Sequence, residues 1–211
     1  MTIKNRSDKF PERYRSIWKK CRPLLKAGRM GDLEHAQETA QFILNYRGRL
    51  KLDKDILVPV ALMHDIGHYA ILPEHFKFVT GPEKIMNGKL VHMLSGAKIA
   101  KDILTKAHYN PIKTQEIVEI ISIHDADQLQ GVDPKKIYNS ANKRIFHDID
   151  SLDRYTEARL KSFAALYPNR QEFLKLLTGY MKQFFYPEFK KLATSRLNFL
   201  KEGGVKKRAQ K

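Results

Sequence analysis

The chain carries eight histidines, at positions 35, 64, 68, 75, 92, 108, 124 and 147. His64 directly follows the apolar run ILVPVALM, and Asp65 follows it. Burying a histidine and a carboxylate at the end of an apolar helix costs several kcal/mol unless both find partners. A cation is the better partner, because imidazole and carboxylate together ligate divalent transition metals. Further candidates recur at even intervals. From His35 through His64, His92 and His124 to Asp150 the steps are 29, 28, 32 and 26 residues. Each step is about one helix plus its connection, so each candidate falls on a different helix. Antiparallel neighbours bring such positions together in a bundle core. Four histidines and two aspartates suffice for two metal ions, with Asp65 able to bridge them. Asp148 and Asp153 compete with Asp150 for the last place, and Asp125 and Asp127 follow His124.

Helical periodicity dominates the elements that must position these groups, and no strict alternation argues for a sheet. The pattern predicts helices over Pro11 to Lys26 and over Asp32 to Arg47, with Asp32 as the cap. A third runs from Asp53 or Lys54 to Asp65 and is buried all round. Residues 66–90, with Gly67, Pro73, Gly81, Pro82 and Gly88, read as a long loop or lid with short helical turns. Helices then follow over Leu90 to His108 and Ile112 to His124, with a short one opened by Asp133-Pro134. In the second of these Ile117, Ile120, Ile121 and His124 share a face. Ala141 to Tyr167 is mostly helical, and Asn169 to about Leu200 forms the last helix, with Gly179 or Pro187 as the place for a bend.

The order H…HD…H…H…D resembles that of the HD-domain superfamily of metal-dependent phosphohydrolases. ALMHDIGH is close to the family's central motif. LVHMLSGAKIAKDIL looks like its segment with a small residue and glycine after a ligating histidine, and DIDSLDRY resembles its closing DADRLD pattern. The likeness runs from His35 to Asp153. It implies an all-α HD-domain bundle and the metal ligands His35, His64, Asp65 and Asp150, with His92 and His124 added as in the binuclear branches. The implied cofactor is a divalent transition metal, as two ions: iron or manganese, or else cobalt, nickel, zinc or magnesium. Asp65 and His68 take catalytic roles in this reading. The implied reaction is hydrolysis of a phosphate ester, a nucleotide or related phosphorylated small molecule, by metal-activated water. Relatives with the same ligand order that hold two irons and use oxygen form the alternative.

Several residues beside this set suit an anionic substrate. His68 stands three residues after Asp65, where several binuclear relatives have a substrate-contacting lysine, and can bind phosphate or donate a proton. His75 and Lys77 lie in the lid-like stretch. Lys98 shares the helix of His92, and Arg154 follows the last ligand region. Tyr155 and Arg159 are weaker candidates. Asp148 and Asp153 read as helix-surface carboxylates or as partners that orient an imidazole. His147 reads as a surface residue, and His108 as a helix-end residue that favours the dipole.

Composition bounds the rest. The 211 residues are 42% hydrophobic and 29% charged, which suits a globular domain rather than a disordered chain. The longest apolar run, Ile56 to Met63, is too short to span a bilayer. The N-terminus has no apolar signal region, and the single Cys21 suits a reducing cytoplasm. Net charge is +16, of which residues 1–30 hold +8 (ten cations, two acids) and residues 190–211 hold +7 (eight cations, one acid). Such ends either solvate the surface or contact a polyanion, and a non-catalytic nucleic-acid-binding module is the reading from a different class. The expected organisation is a basic N-terminal helix at 1–30, the HD domain at 31–167, a C-terminal helix packing on it at 168–202 and a disordered basic tail at 203–211.

Overall fold

The computed structural model describes residues 10–72, 74, 81–163 and 169–202. Every regular element among them is helical. In chain order they are α1 (Glu12–Ala27), α2 (Asp32–Asn45), α3 (Lys54–Met63), α4 (Gly81–Lys106), α5 (Pro111–Ile123), α6 (Pro134–Ile137), α7 (Ala141–Ser151), α8 (Glu157–Phe163), α9 (Arg170–Tyr180) and α10 (Pro187–Lys201). None of the described helices is long and apolar enough to cross a membrane. The all-α expectation therefore holds. The chain divides into two compact units, and the boundary between Phe146 and His147 falls inside α7.

In the first unit, α1 buries Tyr14, Ile17, Trp18, Cys21 and Leu25 at i, i+3, i+4, i+7 and i+11, one apolar stripe of a 3.6-residue helix. α2 starts from Gly31, whose φ of 94° is open to glycine at little cost. Gly31, not Asp32, is thus the N-cap. Asp32 is the first helical residue and accepts instead from the Arg29 backbone N–H at 3.2 Å. Asp53 caps α3 by accepting from the Asp55 N–H at 3.0 Å. From Ile56 to Met63 every α3 side chain is buried, Pro59 included. A 3-10 turn, Ile66–Ala70, follows directly.

Three expected helix extents are corrected. Helix α4 begins at Gly81 rather than near residue 90, so His92 lies well inside it. Pro82 suits a helix start because its missing N–H falls among donors that have no helical partner there. Farther along, α4 buries Met93, Ala97, Ala100, Ile103 and Leu104. The expected single helix from Asn169 to Leu200 is broken into α9, a 3-10 turn Met181–Gln183, and α10. Pro187 cannot continue a helix from the preceding turn, and it opens α10 instead. The N–H groups of Phe185 and Tyr186, left outside any helix, donate to the wholly buried Asp148 at 3.0 and 2.7 Å. The run from Ala141 likewise breaks at Ser151 into the 3-10 turn Leu152–Tyr155 before α8. The second unit is held by Leu152, Tyr155, Phe173, Leu174, Leu177, Phe189, Ala193 and Leu197. Its Tyr155 hydroxyl donates to the Leu177 carbonyl at 3.0 Å.

Candidate metal centre

Two helices of the first unit end the same way. α3 stops at Met63 and α5 at Ile123; each is followed by a histidine, an aspartate and a 3-10 turn. Each histidine turns Nδ1 back to a carbonyl of its own helix: His64 to Ala61 at 3.1 Å and His124 to Ile121 at 2.8 Å. Carbonyls only accept, so Nδ1 carries the proton and Nε2 presents its lone pair. In α4, His92 is held the same way, with Nδ1 at 3.3 Å from the Gly88 carbonyl.

The Nε2 atoms converge in two pairs. His35 on α2 lies 3.0 Å from His64, and His92 lies 3.2 Å from His124. All four imidazoles are buried. In the second pair both Nδ1 atoms donate elsewhere, so two lone pairs face each other. A shared proton is disfavoured, because burial and the neighbouring His124 and His68 hold His92 down at about 3. A cation between them removes the conflict, and ligating histidines characteristically donate their other nitrogen to a carbonyl in this way.

Asp65 lies between the pairs. Its Oδ2 is 3.4 Å from His64 Nε2, and its Oδ1 is 3.6 Å from His124 Nε2 and 3.5 Å from His68 Nε2. Burial works to raise its pKa. The neighbouring His64, with His124, His68 and Arg29 close by, outweighs this and holds the carboxyl well below the usual range. Asp65, His68 and His92 each offer a donor atom within 4.8 Å of the others, as do His92, His124 and Asp125. Buried imidazole and carboxylate donors in such groups fit a divalent cation.

Glycine sets the approach of the turn to α4. A Cβ on Gly67 would fall 1.8 Å from the His92 carbonyl oxygen, and Gly96 packs against Gly67 from α4. This contact brings His68 face to face with His92, with ring centroids 4.3 Å apart and planes within 6°.

The sequence reading missed Arg29. Its guanidinium spans two buried carboxylates, with Nη2 at 2.8 Å from Asp32 and 3.2 Å from Asp65. The available signal was an arginine between two helix-breaking glycines, six residues before His35. Lys89 is a second missed cation. It lies 3.6 Å from Asp125 and also donates to Gln128. Asp127, by contrast, accepts from the buried Tyr138 hydroxyl at 3.0 Å, a structural role.

The other expected residues divide. His75 and Lys77 lie outside the described residues. Lys98 is exposed and, six positions on, is turned about 120° around α4 from His92. Asp150 is half-buried in the part of α7 that belongs to the second unit. Arg154 places its guanidinium over the Tyr180 ring, 5.0 Å from the centroid, and donates to Gln183 at 3.3 Å. Asp153 accepts from Arg159 at 2.6 Å. His108, at φ 51°, lies in the turn that follows α4. The surface expectation for His147, and the surface alternative for Asp148, are corrected. His147 is buried, with Nδ1 3.1 Å from Asp148 and its ring edge-on to Phe185. Asp148 is wholly buried, because it closes the turn before α10. Their polar neighbours in the sequence, HDIDSLD, gave no hint of this.

An all-helical chain with histidines and an aspartate turned inward defines a helical protein built around a His–Asp cluster. A family model described as the HD domain matches residues 32–155, more than half the chain, and the chain belongs to that family. No curated protein and no solved structure gave a match.

Proposed function

We propose that the protein is a metal-dependent phosphohydrolase acting on a phosphate ester, a nucleotide or a related phosphorylated small molecule. The observation that carries this reading is the face-to-face pair of buried Nε2 lone pairs on His92 and His124, with Asp65 directing one oxygen to each histidine pair. His35, His64 and Asp65 would hold one ion and Asp65, His92 and His124 a second. Asp150 is proposed as the closing carboxylate from its place in the H…HD…H…H…D order. Bound divalent cations supply a water of lowered pKa and neutralise charge developing on the phosphoryl oxygens.

The chain's own groups do the rest. Asp65, kept ionised, orients the donors around it. His68 stands at its edge, is mostly but not wholly buried, and donates a proton to the leaving oxygen. Arg29 and Lys89 bind the non-bridging phosphoryl oxygens, Arg29 through a half-exposed guanidinium suited to bidentate contact. His75, Lys77, Lys98 and Arg154 remain proposed substrate contacts on the sequence argument.

Elemental mass spectrometry on untagged protein, with a phosphatase screen on the same sample, tests this. The expected result is about two transition-metal ions per chain and an activity lost in His64→Ala and Asp65→Ala. Full activity in either variant would falsify the proposal.

A further inference from the structure

We propose that the outer face of α1 is a docking strip for the phosphate backbone of double-stranded nucleic acid. Arg15, Lys19, Arg22 and Lys26 recur at i, i+4, i+7 and i+11. At 100° per residue they fall within about 60° of arc and form a line about 16 Å long. All four are exposed. Glu12, in the first turn, is the helix's only acid. Arg15 anchors one nitrogen on the Phe10 carbonyl at 3.0 Å, which leaves the rest of its fork outward. Lys19, Arg22 and Lys26 form no ion pair among the described residues, whereas Arg13, turned to the other side, is spent on Asp55 at 2.7 Å.

The chemistry of the strip selects among polyanions. A single strand is held largely by bases stacking on exposed aromatics. The aromatics of α1, Tyr14 and Trp18, are buried in the core. An anionic membrane is held by a basic face together with large apolar groups that enter the lipid. Beside its cations the exposed residues of α1 are Glu12, Ser16, Pro23 and Ala27, none of them a large apolar group. A duplex needs neither. It presents one phosphate per about 3.4 Å of helix axis on each strand, a continuous row of charge along which a line of cations on a rigid helix can lie.

The test is fluorescence anisotropy of the full chain with a labelled mixed-sequence duplex of about 20 base pairs, titrated between about 50 and 200 mM salt. Four phosphate contacts predict a slope of log affinity against log salt near about −4, and a loss of roughly 100-fold across that range. Lys19→Glu/Arg22→Glu/Lys26→Glu should flatten the slope by about 3, and the corresponding Gln triple should do nearly as much. A control triple of equal charge change, Lys101→Glu/Lys106→Glu/Lys135→Glu, should move it far less. Circular dichroism should show all three folded, since every altered side chain is exposed. Equal loss in the control would reduce the effect to net charge and overturn the proposal. So would an unchanged strip variant, which would assign binding to residues 1–9 and 203–211, or tighter binding to single strands or phosphatidylserine vesicles than to the duplex.

Discussion

The two His–Asp corners are near copies in backbone and unlike in environment. His64-Asp65 ends α3 and His124-Asp125 ends α5, each with the imidazole tied to a carbonyl three residues back. Asp65 is 6% exposed and Asp125 is 20% exposed at the side chain. The next positions explain the difference. Gly67 lets the first turn press its backbone onto α4, which buries Asp65 among three imidazoles and Arg29. At the matching place the second corner has Asp127, which turns to Tyr138 and leaves Asp125 at the edge beside Lys89. A local motif thus makes a donor, and the residue two places on decides whether that donor becomes the centre of a cluster or its rim.

The largest expected effect tests this ranking directly. Asp65→Asn should lower phosphatase activity by about 10³-fold or more, and Asp125→Asn by about 10-fold, within the range for groups that orient ligands. Steady-state rates with metal content measured in parallel would show it, and equal losses would erase the distinction between the corners. Next, Gly67→Ala should cost about 3 kcal/mol, because its Cβ meets backbone rather than a side chain that can swing away. Asp127→Ala should cost about 1 kcal/mol through the lost Tyr138 hydrogen bond. Urea unfolding of chelator-treated protein separates the two.

Acid should also weaken the cluster in a definite direction. His92 is held at about 3 when folded, whereas an unfolded histidine titrates near about 6.5. Between these values the unfolded chain binds the extra proton, so stability of the metal-free protein falls as pH drops from about 6.5 toward 3. Asp65, depressed when folded, adds its own loss below about pH 4. His92→Gln should flatten the upper part of the slope, and an unchanged urea midpoint profile would contradict the assignment. The smallest effect is Tyr138→Phe, expected to cost about 1 kcal/mol while leaving activity within about twofold.

Much of this was legible in the chain. The interval of 26 to 32 residues between candidate donors and the apolar run before His64 carried the helical fold and the convergence of His35, His64, His92 and His124. What was missed depends on contacts between segments distant in sequence. Arg29 was not singled out, because its partner Asp65 lies 36 residues away. The start of α4 was hidden by Gly81, Pro82 and Gly88, which read as breakers although a proline at a helix start is favourable. His147 looked like a surface group in a polar run, and Asp148 like a helix-surface carboxylate or a partner orienting an imidazole. Their burial follows from Phe185 and Tyr186, whose N–H groups lie between the 3-10 turn ending at Gln183 and the helix opened by Pro187 and so are free to donate.

That last contact bears on where the chain can be cut. The family match ends at residue 155, an inviting place to trim. Removing everything beyond it would take away both backbone donors of Asp148, in the middle of α7, and leave a carboxylate of 0% exposure with the His147 imidazole at 3.1 Å in place of three partners. A workable truncation must keep Tyr186 and the helix that holds it. Protease nicking before Phe185 should therefore be followed by aggregation rather than by release of a stable core.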